Sequence, residues 1–318
     1  GRLNAAQTQP IVPPYTFKAE LSRRIAFCRM FSASSMRFAL WTMLPQAFLL
    51  SEALRTAGRD EPPGFIPLRY HFDDFPNTHV NPEGMVLSQI HLINGDPVDI
   101  YTYNKTADPR ISTSIQETGT WELGLASTIC HLFQRFHGNF LDVGANIGSY
   151  VIPIVPCVHG RNVFAIEEDP VNVMHILASV VHNQMDDVVI VSNKMGNASV
   201  AATRQTTLDE IHHLEVGMRN ILVMRLEIEG NEVYALQGAQ QLMADHPPCV
   251  LQITIDPQKL QQKGTRPDVL IAMLDGFGYD TVTQGLDGSS GTYVIAQQDI
   301  TQCLTRLKEA TERFSRAR

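Results

Sequence analysis

The chain has 318 residues, of which 44% are hydrophobic and 18% charged. That balance supplies ample apolar material for a globular core and bounds the chain to one large domain with additions, or two domains. A formal net charge of −8 argues against a general nucleic-acid binder. The charge is unevenly spread: residues 1–51 hold Arg2, Lys18, Arg23, Arg24, Arg29 and Arg37 against Glu20 alone, net +5, which leaves −13 on the remainder.

A basic, acid-poor N-terminus is a targeting pattern before it is a fold pattern. Met36-Arg37 precedes an uncharged run from Phe38 to Leu50, followed by Ser51-Glu52-Ala53, and this resembles a signal peptide for the secretory pathway. It is the one route to a membrane that the sequence offers, since no run of about 18 apolar residues exists. A buried or amphipathic helix interrupted by Pro45, in a cytoplasmic protein, is a second reading, and the Arg and Ser content of residues 22–37 fits a mitochondrial presequence as a third; all three stay open. Residues 1–60 thus read as a targeting or disordered tail, and Glu61-Pro62-Pro63-Gly64 as a linker. Cys28, Cys130, Cys157, Cys249 and Cys303 lack CxxC spacing, which argues against a zinc site and against a disulfide framework. A single disulfide stays open and cannot be placed.

Residues 61–107 read as a small β-rich extension. Val86–Ile93 and Val98–Tyr103 alternate around Asn94-Gly95-Asp96-Pro97, a hairpin signal. From Trp121 to Phe136 the spacing is helical. Asn139–Val143 is a short strand ending at Gly144, and the helix expected from Ile147 should be cut short by Pro153 and Pro156. Strands are then expected at 162–167, 188–191, 221–228, 249–255, 279–283 and 292–296. Helices are expected from Pro170 to about Gln184, at Thr207-Leu208-Asp209, from about Asn231 to Met243, at 268–274 and over the last twenty residues. Strands alternating with helices imply βαβ units and a largely parallel sheet covered on both faces, with the two late strands as an antiparallel edge.

The chemistry concentrates in Asp142-Val-Gly144-Ala-Asn146-Ile-Gly148. A glycine turn after a strand lets a ligand approach the backbone and sets ligand anions at a helix N-terminus. It is not GxGxxG, because Asn146 stands at the second glycine position, and an acid at the strand end would repel a pyrophosphate while suiting the amino group of a methionine moiety. The next strand ends in Glu167, 23 residues beyond Gly144, where a carboxylate can take both ribose hydroxyls of a nucleoside. An adenosine ligand with a zwitterionic tail, S-adenosyl-L-methionine, fits this order better than NAD. Either piece alone is explained by a turn glycine or a capping acid.

Those segments, with Ile111–Ile115, Thr118–Glu122, Ala165–Asn172, Thr207–Glu210, Val223–Glu232 and Leu236–Ala239, resemble the FkbM family of methyltransferases over roughly residues 108–296. The resemblance implies a class I, Rossmann-like α/β domain at about 108–300, with residues 301–318 as a C-terminal helix, that transfers a methyl group from S-adenosyl-L-methionine, mostly to oxygen, and so a sugar or small-metabolite hydroxyl as acceptor. It assigns Asp142, Gly144, Asn146 and Gly148, with Glu122, to the methionine end, Glu167 and Asn172 to the ribose, and Asn193 to the adenine edge. Glu227 and Glu229 would face the reaction crevice as catalytic residues, and no metal is implied. The sequence departs from the family where Glu168 follows the ribose-binding acid, where Arg225-Leu-Glu227 replaces Lys-Ile-Asp, and where Asn197 and the segment Ile253-Thr254-Ile255 lack acids. These departures motivate a rival, a cofactor-binding relative acting as an interaction module. A nicotinamide oxidoreductase is a second rival, opposed by Asp142. Adjacent His212-His213 cannot face one metal from a helix. Asn104-Lys-Thr106 and Asn197-Ala-Ser199 are glycosylation sequons that do not by themselves settle the compartment.

Overall fold

A computed structural model describes residues 69–71, 83–158 and 162–316. The tail, the signal-like segment from Met36 and the linker at 61–64 lie outside the described residues. In chain order the strands are β1 (Arg69–His71), β2 (Val86–Ile90), β3 (Val98–Thr102), β4 (Asn139–Val143), β5 (Val163–Glu167), β6 (Val188–Ser192), β7 (Lys194–Met195), β8 (Gln205–Thr206), β9 (Ile221–Leu226), β10 (Val250–Ile255) and β11 (Gly291–Ala296). The helices are α1 (Ile111–Thr118), α2 (Leu123–Arg135), α3 (Val151–Ile154), α4 (Pro170–His182), α5 (Leu208–Leu214), α6 (Glu232–Gln237), α7 (Gln240–Asp245), α8 (Pro257–Gln262), α9 (Pro267–Gly276) and α10 (Ile300–Arg316).

Seven strands form one sheet in the order β1-β6-β5-β4-β9-β10-β11. The five central strands are parallel, while β1 and β11 run antiparallel at the two edges. This is the α/β, Rossmann-like sheet expected from the alternation of strands and helices. Strand residues alternate between two apolar clusters: Phe140, Ala165 and Val223 face one layer, and Leu141, Phe164 and Met224 face the other. The five central strands are buried on both faces, which is why they read as continuous apolar runs. The order reverses beside β4, since β5 and β6 lie on one side of it and β9 and β10 on the other. That switch point is where ligands bind in open α/β sheets.

The expected hairpin forms as β2–β3, with Ile90 opposite Val98. It lies against α4: Tyr101 N–H donates to Ser179 Oγ at 2.9 Å, and Asn183 Nδ2 donates to the Asp99 carbonyl at 2.7 Å. Ile90, Leu92 and Ile100 belong to the same apolar cluster as α2, α3 and α4. Among the described residues of the 61–107 segment, β1 is an edge of the main sheet, and the hairpin shares its core.

Four local expectations need correction. Tyr279–Thr283 makes only a single bridge, Tyr279 to Gln297, and β11 pairs instead with β10. The helix expected over 231–243 is two helices, broken at Gly238, where a Cβ would lie 2.2 Å from the Gly196 carbonyl oxygen. The helix α8 was not foreseen, although Asp256 caps it by accepting from Gln258 and Lys259 N–H, ahead of Pro257 at its start. Finally, the cysteines form two disulfides among the described residues: Cys130–Cys157 joins α2 to the turn after α3, and Cys249–Cys303 joins the start of β10 to α10. Sequence spacing carried no sign of this, because each pair meets only once helices have packed on the sheet.

Replacing either cysteine pair by alanine should cost about 2–4 kcal/mol of stability. The loops closed span 27 and 54 residues, so loss of Cys249–Cys303 should cost about 0.6 kcal/mol more than loss of Cys130–Cys157. Urea unfolding of the two double variants checks this, and unchanged midpoints would show that neither bridge constrains the chain.

Candidate functional site

The carboxyl ends of β4, β5, β6 and β9 surround a pocket of about 420 Å³, walled by Gly144, Asn146, Ile166, Glu167, Asn193 and Glu227 among others. Its far wall is Trp121 with Asp108 and Arg110, from the segments around α1; the Arg110 guanidinium sits 6.0 Å from the Trp121 ring. A second pocket of about 280 Å³ adjoins it, and the two share Glu227, Glu229 and Arg110. The second is lined by Glu122, Thr254, Asp256, Lys259, Ser290 and Thr292, from the ends of β10 and β11, the start of α8 and the residue before α2.

The loop after β4 crosses directly over β9. A Cβ on Gly144 would lie 1.9 Å from the Glu227 carbonyl oxygen, and Gly144 holds φ +92°. Only glycine fits both the space and the dihedral. Asn146 follows at φ +51°, and Glu122 and Glu229 also hold positive φ, +43° and +57°. Three non-glycine residues in a sparsely populated region thus meet at one crevice, a pattern found at functional sites.

Beneath the loop runs a polar row within an otherwise apolar face. In register across adjacent strands stand Asp142 on β4, Arg225 on β9 and Gln252 on β10. Arg225 donates to Asp142 Oδ1 at 2.9 Å, to the Gly144 carbonyl at 3.1 Å and to Glu227 Oε2. Its guanidinium lies 4.3 Å from the centre of the Tyr150 ring. The Tyr150 hydroxyl donates to Glu122 Oε2 at 2.5 Å and accepts from Gln252 Nε2 at 3.1 Å. Burial pushes the Asp142 carboxyl up, and Arg225 opposes that rise. Burial pulls Arg225 down, but Asp142 and Glu227 outweigh it and the guanidinium is held protonated. Burial also raises the Tyr150 phenol, so it acts as a fixed hydrogen-bond donor.

At the tip of β5, Glu167 is 7% exposed and is already engaged. Its Oε2 accepts from Asn146 N–H at 2.8 Å and its Oε1 from Asp169 N–H at 2.9 Å, with Asn172 Nδ2 at 3.4 Å. Burial raises its pKa against those hydrogen bonds. Tyr103, at the end of the hairpin, donates to Asn172 Oδ1 at 2.8 Å, and its phenol is pushed up to about 12 by burial and by the Asp169 and Glu167 carboxylates. Asn193 is buried in the pocket wall and donates to the Arg204 carbonyl at 2.9 Å.

The structure therefore gathers Gly144, Asn146, Glu167, Asn172 and Asn193 around the larger pocket, and Glu227 and Glu229 at the junction of the two. Glu122 lies in the second pocket rather than the first. Asp142 lies under the loop, fully buried, and reaches the pocket only through Arg225. Gly148 stands behind the wall against Ile152 and Ile176. Glu227 is not a free base but one arm of the Arg225 bridge, and Glu229, 64% exposed, pairs with Lys259. Sequence reasoning missed Tyr150 and Gln252 altogether and noted Arg225 only as a departure from the family pattern; the signal was a polar residue at one register position in each of three apolar strands. Trp121 was read as the start of a helical stretch and as part of the family resemblance, not as a pocket wall.

Arg225→Ala should cost about 3–5 kcal/mol, because it leaves the buried Asp142 charge uncompensated. Asp142→Leu combined with Arg225→Met should recover most of that loss. Denaturant midpoints of the single and double variants decide: if the double variant is the less stable, the ion pair is not what Arg225 contributes.

No protein-family model and no curated protein matches the chain. Among solved structures, the chain is similar to a methyltransferase FkbM from Methylobacillus flagellatus at 23% identity, with 42% of this chain and 38% of that protein covered and a TM-score of 0.32. It is also similar to a precorrin-6y C5,15-methyltransferase from Geobacter metallireducens (12% identity, 56% and 90% covered, TM-score 0.36). A third is M. jannaschii TYW2 in complex with AdoMet (11% identity, 67% and 85% covered, TM-score 0.36). The chain thus spans well under half of the first of these proteins.

Proposed function

We propose that this chain is an S-adenosyl-L-methionine-dependent methyltransferase of the class I type, acting on a hydroxyl of a sugar or other small metabolite. The observation that carries the reading is a pair of adjoining pockets at the sheet's switch point, joined by Glu227 and Glu229. A transferase needs one pocket for the donor and one for the acceptor, meeting at the group transferred.

The larger pocket fits the cofactor in size and in its donors and acceptors. Glu167 would take the ribose hydroxyls with the lone pairs that Asn146 and Asp169 leave, supported by Asn172. Ile166, Met195 and Asn193 offer the adenine an apolar edge and an amide. Gly144 and Asn146 bring backbone to the middle of the ligand, and Glu227 offers a carboxylate to the methionine amino group or to the acceptor. Asp142 has one carboxylate oxygen without a protein partner among the described residues, and its share is to hold Arg225 and hence Glu227.

The bound cofactor supplies a methyl group already activated by its sulfonium. The protein's work is then to exclude water and align an acceptor oxygen. The hydroxyls of Thr254, Ser290 and Thr292 and the carboxylates of Glu122 and Asp256 give the second pocket groups suited to a polyhydroxy acceptor. The ion pair that occupies Glu227 favours one alternative, a module that binds cofactor without turnover.

Calorimetric titration with S-adenosylhomocysteine should show binding. Glu167→Ala should weaken it by roughly tenfold to several hundredfold. It should also lower stability, since two loop N–H groups lose their acceptor, whereas exposed Glu168→Ala should leave affinity nearly unchanged. Glu227→Gln should reduce methyl transfer more than it reduces cofactor affinity. Binding without transfer to any sugar or metabolite hydroxyl supports the module, and binding of NADH in place of S-adenosylhomocysteine overturns both readings.

A further inference from the structure

We propose that this chain folds in an oxidising, glycosylating compartment and carries an N-linked glycan on Asn104. Two independent features of the described residues meet in this reading. First, four cysteines from four separate segments pair completely, with Cα–Cα distances of 5.4 and 5.6 Å, inside the range a bridge requires. Paired structural cysteines belong to secreted and luminal proteins, because cytosolic reductants keep such thiols reduced. Forming each bridge removes two protons and two electrons from two thiols, and a protein-disulfide oxidant of the compartment takes them up and becomes a dithiol.

Second, the two sequons differ in how they are presented. Asn104-Lys105-Thr106 follows β3 on an exposed turn. Asn104 Oδ1 accepts from Thr106 N–H at 3.1 Å, from the Thr106 hydroxyl at 2.6 Å and from Ala107 N–H at 2.9 Å. This Asx turn places the threonine hydroxyl on the asparagine amide, and among the described residues no hydrogen bond engages Nδ2. Lys105 is held aside, paired with Glu117 at 3.0 Å. At the other sequon the groups are committed elsewhere: Asn197 Nδ2 donates to Gln237 Oε1 at 3.2 Å, and the Ser199 hydroxyl donates to Glu210. Both sites are exposed, so exposure alone does not separate them, and the hydrogen bonding does.

The reaction joins Asn104 Nδ2 to the anomeric carbon of a lipid-pyrophosphate-linked oligosaccharide. The anomeric carbon–oxygen bond breaks, the lipid pyrophosphate leaves, and one amide proton passes to a carboxylate of the transferring enzyme. Asp108, which helps to wall the larger pocket, donates its N–H to the Asn104 carbonyl at 3.1 Å, so the glycan would be attached close to that site.

The test uses the full chain, expressed from its own gene in its source cells, with a C-terminal tag. Digestion with a peptide N-glycosidase should shift its mobility once, and peptide mapping without reduction should recover Cys130 linked to Cys157 and Cys249 linked to Cys303. Asn104→Asp keeps the acceptor oxygen of the turn while removing the amide, so it should fold and lose the shift. Thr106→Ala should lose it as well, while Thr106→Ser and Asn197→Asp should keep it. A shift abolished only by Asn197→Asp overturns the site. The absence of any shift overturns the glycan, and four thiols that alkylate without reduction overturn the compartment.

Discussion

The site rests on one buried interaction, the Arg225 guanidinium held between Asp142 and Glu227. Taking these charges out of water is expensive, and a planar fork that serves two carboxylates and a backbone carbonyl at once is the arrangement that offsets most of the cost. Arg225 and Asp142 stand in register on neighbouring strands, so the pair fixes β4 against β9 at the point where the strand order reverses. The Tyr150 ring closes the row from below, and its hydroxyl passes the constraint on to Glu122 and Gln252. A lysine in the same position could serve one carboxylate as a point charge but could not bridge both and lie flat on the ring. The crossing of Gly144 over the Glu227 carbonyl follows from the same closeness of the two strand tips.

A second constraint ties distant chain segments to the neighbouring tip. Glu167 gathers the loop after β4 and the start of α4 by accepting from Asn146 and Asp169, and Asn172 is fixed from the other side by Tyr103. The hairpin thus reaches the site through one phenol. Without Tyr103, Asn172 would lose one of its two partners and the Glu167 carboxylate would lose part of its support. The raised pKa of Glu167 has the same origin, a carboxylate withdrawn from water to organise a loop.

Much of the fold was legible because each parallel strand is buried on both faces and so reads as an unbroken apolar run. Glycines and prolines marked the ends of those runs. The place of Gly144, Asn146 and Glu167 at the strand tips was legible for a related reason, since turn glycines and capping acids mark where strands end, whereas Asn193 came only from the family resemblance. Asp142 misled because sequence order gives its strand position but not its depth: it is the fourth of five buried residues, not the last exposed one. Tyr150 and Gln252 were illegible because their role exists only across strands and layers, 102 residues apart along the chain. The disulfides were hidden likewise, each joining a helix to an element it meets only after packing. Tyr279–Thr283 carried a strand-like composition, yet β11 already occupies the edge beside β10, and the segment keeps one bridge.

The two pockets differ in what builds them, and that difference bears on how the chain would divide its work. The larger is walled by strand tips locked through buried hydrogen bonds, with Glu167, Asn193 and Arg225 all under a tenth exposed. Such a wall tolerates little change and suits a ligand of constant shape. The smaller is walled by the ends of β10 and β11 and by helix starts and turns, with Glu229 mostly exposed and paired with Lys259. Surface ion pairs of this kind contribute little to stability, so the residues there are free to vary with the ligand they meet. Glu227 stands on the boundary, anchored from below by Arg225 and open above, and is the point at which a rigid donor site could govern a changeable acceptor site.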